Sequence, residues 1–148
     1  MKRFNIRVYL IIIENERILL SDEILGGKYC TKFPGGGLEW GEGLIDCCNR
    51  EAMEELNSKI EVLSHLYTTE GFFSSSFRED DQVLAVYYRA KLLEKNFPQK
   101  IKKFDFQTFE NREESFRWVD LDALDKEEMT FPIDRIVVQN LMDLQSRS

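Results

Sequence analysis

The sequence predicts an α/β (α+β) fold in which a mixed β-sheet is sandwiched between helices, and three observations predict it. Phe4 to Ile13 is rich in Ile, Val and Tyr, the composition of a buried strand. Leu44, Cys48, Ala52 and Leu56 recur every four residues, the stripe of a helix that packs on a sheet. The order along the chain is strands, helix, strands, helix, with no internal repeat or low-complexity tract. The 148 residues fit a single domain, 1–148, because one hydrophobic core commonly supports roughly 100 to 150 residues. We therefore expect one site.

Taken in order, Phe4–Ile13 is the first strand, Asn15 lies near a turn and Arg17–Leu20 is the hairpin partner. Lys28–Phe33 reads as a further strand. Pro34-Gly35-Gly36-Gly37 is too glycine-rich for regular structure and suits a tight loop. The helix from Leu44 to Leu56 follows, and Asn57 can end it in the left-handed conformation. Ile60–Thr69 and Gln82–Leu93 are strand-like, with Val83 to Tyr88 the clearest buried strand after the first. Phe97–Asn111 reads as a mixed loop, Ser115–Val119 as a strand and Asp120–Leu124 as a short helical turn. Pro132–Leu144 forms a terminal helix, with proline in its first turn.

Hydrophobic residues make up 43% of the chain and charged residues 32%, which can bury a core. The formal charge of −7 argues against a broad nucleic-acid or membrane surface, since such contacts use clustered Lys and Arg. An acidic protein acting on phosphates would need metal ions to offset repulsion. Cys30, Cys47 and Cys48 are an odd set without C-x-x-C spacing, as expected of reduced thiols in a cytoplasmic protein. Arg7 interrupts the apolar run at the N-terminus and no cleavage site follows, so we expect neither signal peptide nor membrane span.

At about 100° per residue, Glu51, Glu54 and Glu55 fall within an arc of roughly 100° on the helix. Crowded carboxylates repel, so such a face is either solvated or holds divalent cations, and its hard oxygen donors suit Mg²⁺ or Mn²⁺. Arg50 sits four residues before Glu54 and can pair with it. On spacing alone, a solvated face with helical ion pairs is the commoner meaning of a Glu-rich helix.

From Phe33 the chain reads F-P-G-G-G-L-E-W-G-E-G-L-I-D-C-C-N-R-E-A-M-E-E-L-N-S. This closely resembles the signature of the Nudix hydrolases, G-x5-E-x7-R-E-U-x-E-E-x-G-U, with Gly36, Glu42, Arg50, Glu51, Ala52, Glu54 and Glu55 in register. Asn57 stands where the family has Gly, and Ser58 where it has an aliphatic residue. Asn tolerates the left-handed conformation well, so the turn should survive. Ser58 loses an apolar anchor, for which Ile60 is a substitute.

The resemblance implies an α/β/α sandwich with a central mixed β-sheet and Mg²⁺-dependent hydrolysis of a small-molecule diphosphate by metal-activated water. The substrate it implies is a nucleoside triphosphate or a nucleoside diphosphate linked to another moiety. It implies Glu51, Glu54 and Glu55 as metal ligands, the Gly35 carbonyl as a further ligand, and Glu42 and Arg50 as their support, with Glu51 or Glu54 a candidate base. Members also recruit a glutamate from a distant loop, so Glu113 and Glu114 are candidates for the general base; the rival reading is a solvated turn beside Arg112. Dimers are common among similar proteins, which makes a homodimer a candidate assembly. A catalytically silent nucleotide-binding sensor of the same fold is the alternative function, and an isomerase acting on a prenyl diphosphate is a third.

For substrate contacts, Phe72, Phe73 and Phe77 surround three serines, where a ring such as Phe73 can stack on a base or simply cover the core. Trp40 within the motif and Arg7 in the first strand are further candidates, with packing or surface roles as the default. His65, the only histidine, has no neighbouring acid or thiol and reads as structural or exposed. Cys47 and Cys48 read as small helix-packing residues. Markers that accompany ADP-ribose, dinucleoside polyphosphate and NADH specificity in similar proteins are not evident.

Overall fold

Strand β1 (Arg3–Glu14) serves two cores at once, because alternate side chains leave a strand on opposite faces. Val8, Leu10 and Ile12 face one apolar cluster with Cys47, Cys48, Ala52 and Leu56 of helix α1 (Leu44–Leu56). Tyr9, Ile11 and Ile13 face the other, with Ile133, Val137, Val138 and Leu141 of helix α2 (Pro132–Ser146). This computed structural model describes residues 1–106 and 114–146. Its mixed sheet lies between α1 and α2, the sandwich that the order of elements predicts. Among the described residues no helix is long and apolar enough to cross a membrane.

The sheet also contains β2 (Arg17–Leu25), β3 (Lys28–Lys32), β4 (Gly35–Gly37), β5 (Ile60–Thr68), β6 (Asp81–Leu92), β7 (Gln99–Lys100) and β8 (Glu114–Asp120). Its order is β5-β6-β1-β2-β8-β7, with β4 beside β1 and β3 beside β2. β1 runs parallel to β6 along most of its length, while β2 runs antiparallel to β8. The position of the site follows from the join between these halves. β1 and β2 pair only at Ile13–Ile18 and Glu14–Arg17, beside the left-handed turn at Asn15 and Glu16. Farther from the turn, β1 pairs with β4 and β2 with β3. Phe33 joins β3 to β4 and is fully buried, its ring edge-on to Tyr87.

The β2–β3–β8 half is tied by a buried polar network. Asp22 accepts hydrogen bonds from Arg117 Nε at 2.7 Å, Thr31 Oγ1 at 2.8 Å and the Phe104 N–H at 3.0 Å. A buried carboxylate is tolerated when paired and hydrogen-bonded in this way.

Three expectations are corrected. Gly35–Gly37 is a strand and not a loop, because the edge of β1 supplies partners for its backbone. A two-residue strand, β7, interrupts the loop expected over Phe97–Asn111 and runs parallel to β8. The hairpin partner expected over Arg17–Leu20 extends to Leu25, carried by its pairing with both β3 and β8. The short helical turn expected at Asp120–Leu124 is present, as a 3₁₀ turn over Leu121–Ala123.

Candidate active site

The carboxylate face of α1 is organised by one guanidinium. Arg50 donates through Nε and Nη2 to both oxygens of Glu42, at 3.0 and 2.7 Å, and through Nη1 to Glu51 and Glu54, each at 3.0 Å. Its Nη2 also reaches the Gly37 carbonyl at 2.9 Å, fixing β4 against the helix. The Arg50 hydrogen bonds, aided by the Glu39 N–H, hold the Glu42 carboxyl down at about 2. Glu42 in turn raises the pKa of Arg50, so the pair stays charged across the working range of a protein.

The three helix carboxylates are not equivalent. Glu51 is only 8% exposed and Glu54 is exposed, while Glu55 is half-buried and accepts the Gly35 N–H at 3.1 Å. Burial raises the pKa of Glu51, with Arg50 opposing, and raises that of Glu55, with Lys32 opposing. Two glycines let β4 sit this close to its neighbours, Gly35 against β1 and Gly36 against the helix. Gly35 has φ +146°, and a Cβ there would run into the Val8 carbonyl and Tyr9; a Cβ on Gly36 would run into the Glu51 carboxylate.

A cavity of about 470 Å³ opens where β1 and β2 part. Glu51, Glu55, Gly35 and Gly36 form one wall, and Arg7, Tyr9 and Lys32 another; Phe73 to Phe77 and the start of α2 close the rest. Of the residues singled out in the sequence, Arg7 and Phe73 thus meet the carboxylate helix. Trp40 does not: it is fully exposed and absent from the cavity wall. Phe73 also packs on the α2-side core, and Phe77 stands edge-on to Phe131 at 5.9 Å. His65 is exposed and bonded to Thr68. The Cys47 and Cys48 thiols are buried in the α1 core and pushed up to about 12 by that burial, so they pack and do not attack.

Glu114 opens β8 directly opposite Glu23 of β2, not in a solvated turn. Burial, then Glu55 and Glu23, raise its pKa. Glu113 lies outside the described residues. A second, more polar cavity of about 300 Å³ is lined by Glu54, Glu55 and Glu114. Carboxylates therefore approach Glu55 from β2, α1 and β8. Sequence reasoning missed Glu23 and Lys32, since each joins the site only through strand pairing that no local spacing announces.

The donor set fits a hard divalent cation: all are carboxylate or carbonyl oxygens, and their unbalanced burial is relieved by positive charge. Among the described residues no three of them already converge as a closed cage. Glu51 and Glu54 each give one oxygen to Arg50 and Glu55 gives one to the Gly35 N–H, and their second oxygens take no part in those bonds.

The family model described as the NUDIX domain matches residues 3–141 of this chain. Among solved structures, a NUDIX hydrolase from Nitrosomonas europaea is 18% identical with a TM-score of 0.71, covering 95% of this chain and 90% of its own. A MutT NUDIX hydrolase from Burkholderia pseudomallei is 21% identical with a TM-score of 0.70, covering 93% and 98%. An ADP-ribose pyrophosphatase from Streptococcus suis is 17% identical with a TM-score of 0.60, covering 97% and 92%. At these identities the likeness to each structure is one of fold.

Proposed function

The chain belongs to the Nudix family, and from that premise we propose that it is a pyrophosphohydrolase dependent on Mg²⁺, with Mn²⁺ as a substitute. Its substrate is a nucleoside triphosphate or a nucleoside diphosphate linked to another moiety, cleaved at the phosphoanhydride bond by water. The observation that carries this reading is that Glu51 and Glu55 share one cavity with two cationic side chains, Arg7 and Lys32. A phosphoanhydride needs both oxygen ligands for a metal and positive charge facing its own oxygens.

Bound Mg²⁺ supplies charge neutralisation, orientation of the phosphates and a lower pKa for water. Glu51, Glu54, Glu55 and the Gly35 carbonyl would hold it. Arg50 keeps Glu51 and Glu54 in place and Glu42 keeps Arg50 in place. Glu114 accepts the proton of the attacking water as oxygen bonds to phosphorus and the bridging P–O bond breaks; Glu113 shares that assignment from the sequence alone. Phe73 borders the organic part of the substrate. Three buried, free cysteines agree with a cytoplasmic protein.

The test incubates purified protein and Mg²⁺ with nucleoside triphosphates, nucleotide sugars, ADP-ribose and dinucleoside polyphosphates, and measures phosphate-bearing products. We expect turnover of at least one compound, lost on chelation and in Glu54→Gln. Turnover that survives both, or no turnover of any compound, overturns the reading.

A further inference from the structure

Lys32 is 4% exposed, yet it lies on the wall of the cavity. Lysine is almost never buried so fully unless it is paired. Its Nζ donates to the Phe33 carbonyl at 3.3 Å and lies 3.4 Å from Glu23 Oε2. Both contacts are long beside the roughly 2.7–2.9 Å of a charge-assisted bond, and Glu23 Oε2 has no hydrogen-bond partner among the described residues. An ammonium has three N–H donors, so Lys32 keeps donor capacity. Burial works against its charge, but the acidic groups around it, Glu55 foremost, outweigh that and keep it protonated.

A second cation stands beside the same aromatic ring. Lys32 Nζ and Arg7 Cζ each lie 5.8 Å from the centroid of Tyr9, and Arg7 Nε donates to the Tyr9 hydroxyl at 3.2 Å. Among the described residues Arg7 is therefore hydrogen-bonded to a neutral group, with Glu51 and Glu55 acting on it only through their charge. The two positive groups flank one ring in the cavity that Glu51 and Glu55 line. Two cations in one cavity can each meet phosphoryl oxygens.

Resting on the hydrolase reading above, we propose that Lys32, with Arg7 beside the same Tyr9 ring, grips the phosphoryl oxygens of the substrate. Glu23 holds the ammonium in place until those oxygens take it over. Lys32 is a binding residue whose loss raises KM more than it lowers kcat.

The test measures calorimetrically the Kd of methylenediphosphonate, a non-hydrolysable diphosphate, in Mg²⁺ buffer. Lys32→Met removes the charge, Lys32→Arg keeps it, and Lys32→Met combined with Glu23→Gln removes the pair together, so that no partner is left buried and unpaired. We expect a tenfold or greater weakening in Lys32→Met and in the double variant. Lys32→Arg should recover most of it, Glu23→Gln alone should bind at least as well as wild type, and Lys91→Met, at an exposed position near the end of β6, should change nothing. A double variant that binds like Glu23→Gln overturns the proposal, because Lys32 then only neutralises Glu23. Equal weakening in Lys91→Met overturns it too, as an effect of net charge. Wild-type protein that hydrolyses a diphosphate while the double variant binds normally separates failure of this inference from failure of the hydrolase reading.

Discussion

Arg50 can reach Glu42, Glu51, Glu54 and the Gly37 carbonyl together because a guanidinium carries five N–H groups in one plane. A lysine would keep the charge and lose that geometry. Its position and those of its partners are legible in the sequence, since residues one, four and eight apart around a helix and the loop before it meet through local geometry alone. Lys32 is not legible in this way. Thr31, Lys32 and Phe33 are all buried, and nothing in the composition of that stretch tells a buried lysine from a surface one. Gly36 gives the sharpest test at this scale, since its backbone is ordinary and only the space for a Cβ is missing. Gly36→Ala should push Glu51 aside, lower stability in urea by about 1–3 kcal/mol as overpacking does, and cut turnover about tenfold or more. Full turnover from a folded Gly36→Ala protein would mean that the place of Glu51 is not critical.

Helix α1 ends where the sequence says it should, and its last residues do more than stop it. Asn57 takes φ 48° and ψ 33°, with its N–H on the Met53 carbonyl at 3.1 Å. The serine that follows, expected to be a lost anchor, is instead a buried joint: Ser58 Oγ donates to the Leu56 carbonyl at 2.8 Å and accepts the Asn96 N–H at 2.9 Å. Ile60 supplies the apolar contact in the α1 core. Asn57→Ala keeps the helix but forces a Cβ-bearing residue without a local polar partner into the left-handed region, which costs about 1–2 kcal/mol. Urea unfolding should show that loss without a change in slope. A neutral result would place the stop in the Ser58 bonds and not in Asn57. Strand β4 is the element that the sequence hid. Three glycines carry no strand propensity, and their pairing comes from the free edge of β1.

The whole molecule is a sheet that forks, and residues from seven elements meet around one cavity at the fork. The layered sandwich was legible from the order of elements, whereas the fork was not, because it depends on β1 and β2 parting after two paired residues. Asp134 at the start of α2 is buried on the cavity wall and accepts the hydroxyl of Tyr87. Burial pushes its carboxyl from an ordinary 3.8 up to about 6; the Tyr87 bond, Lys32 and Arg7 oppose the rise without cancelling it. Between those two values the folded chain binds a proton that the unfolded chain has released. This group's contribution to stability therefore falls as pH rises through about 4 to 6 and stays at its lowest above 6. The gap corresponds to about 3 kcal/mol at most. Asp134→Asn keeps an acceptor for Tyr87 and has no charge to bury. Groups such as Glu42, held below the ordinary range, lose their contribution as pH falls, so wild type alone mixes opposite slopes and only the difference between the two proteins isolates Asp134. Unfolding in urea at a series of pH values should give a variant that gains on wild type by up to about 3 kcal/mol between pH 4 and 7. A difference that stays flat over that range would show that Asp134 ionises in the folded protein as it does in the unfolded one.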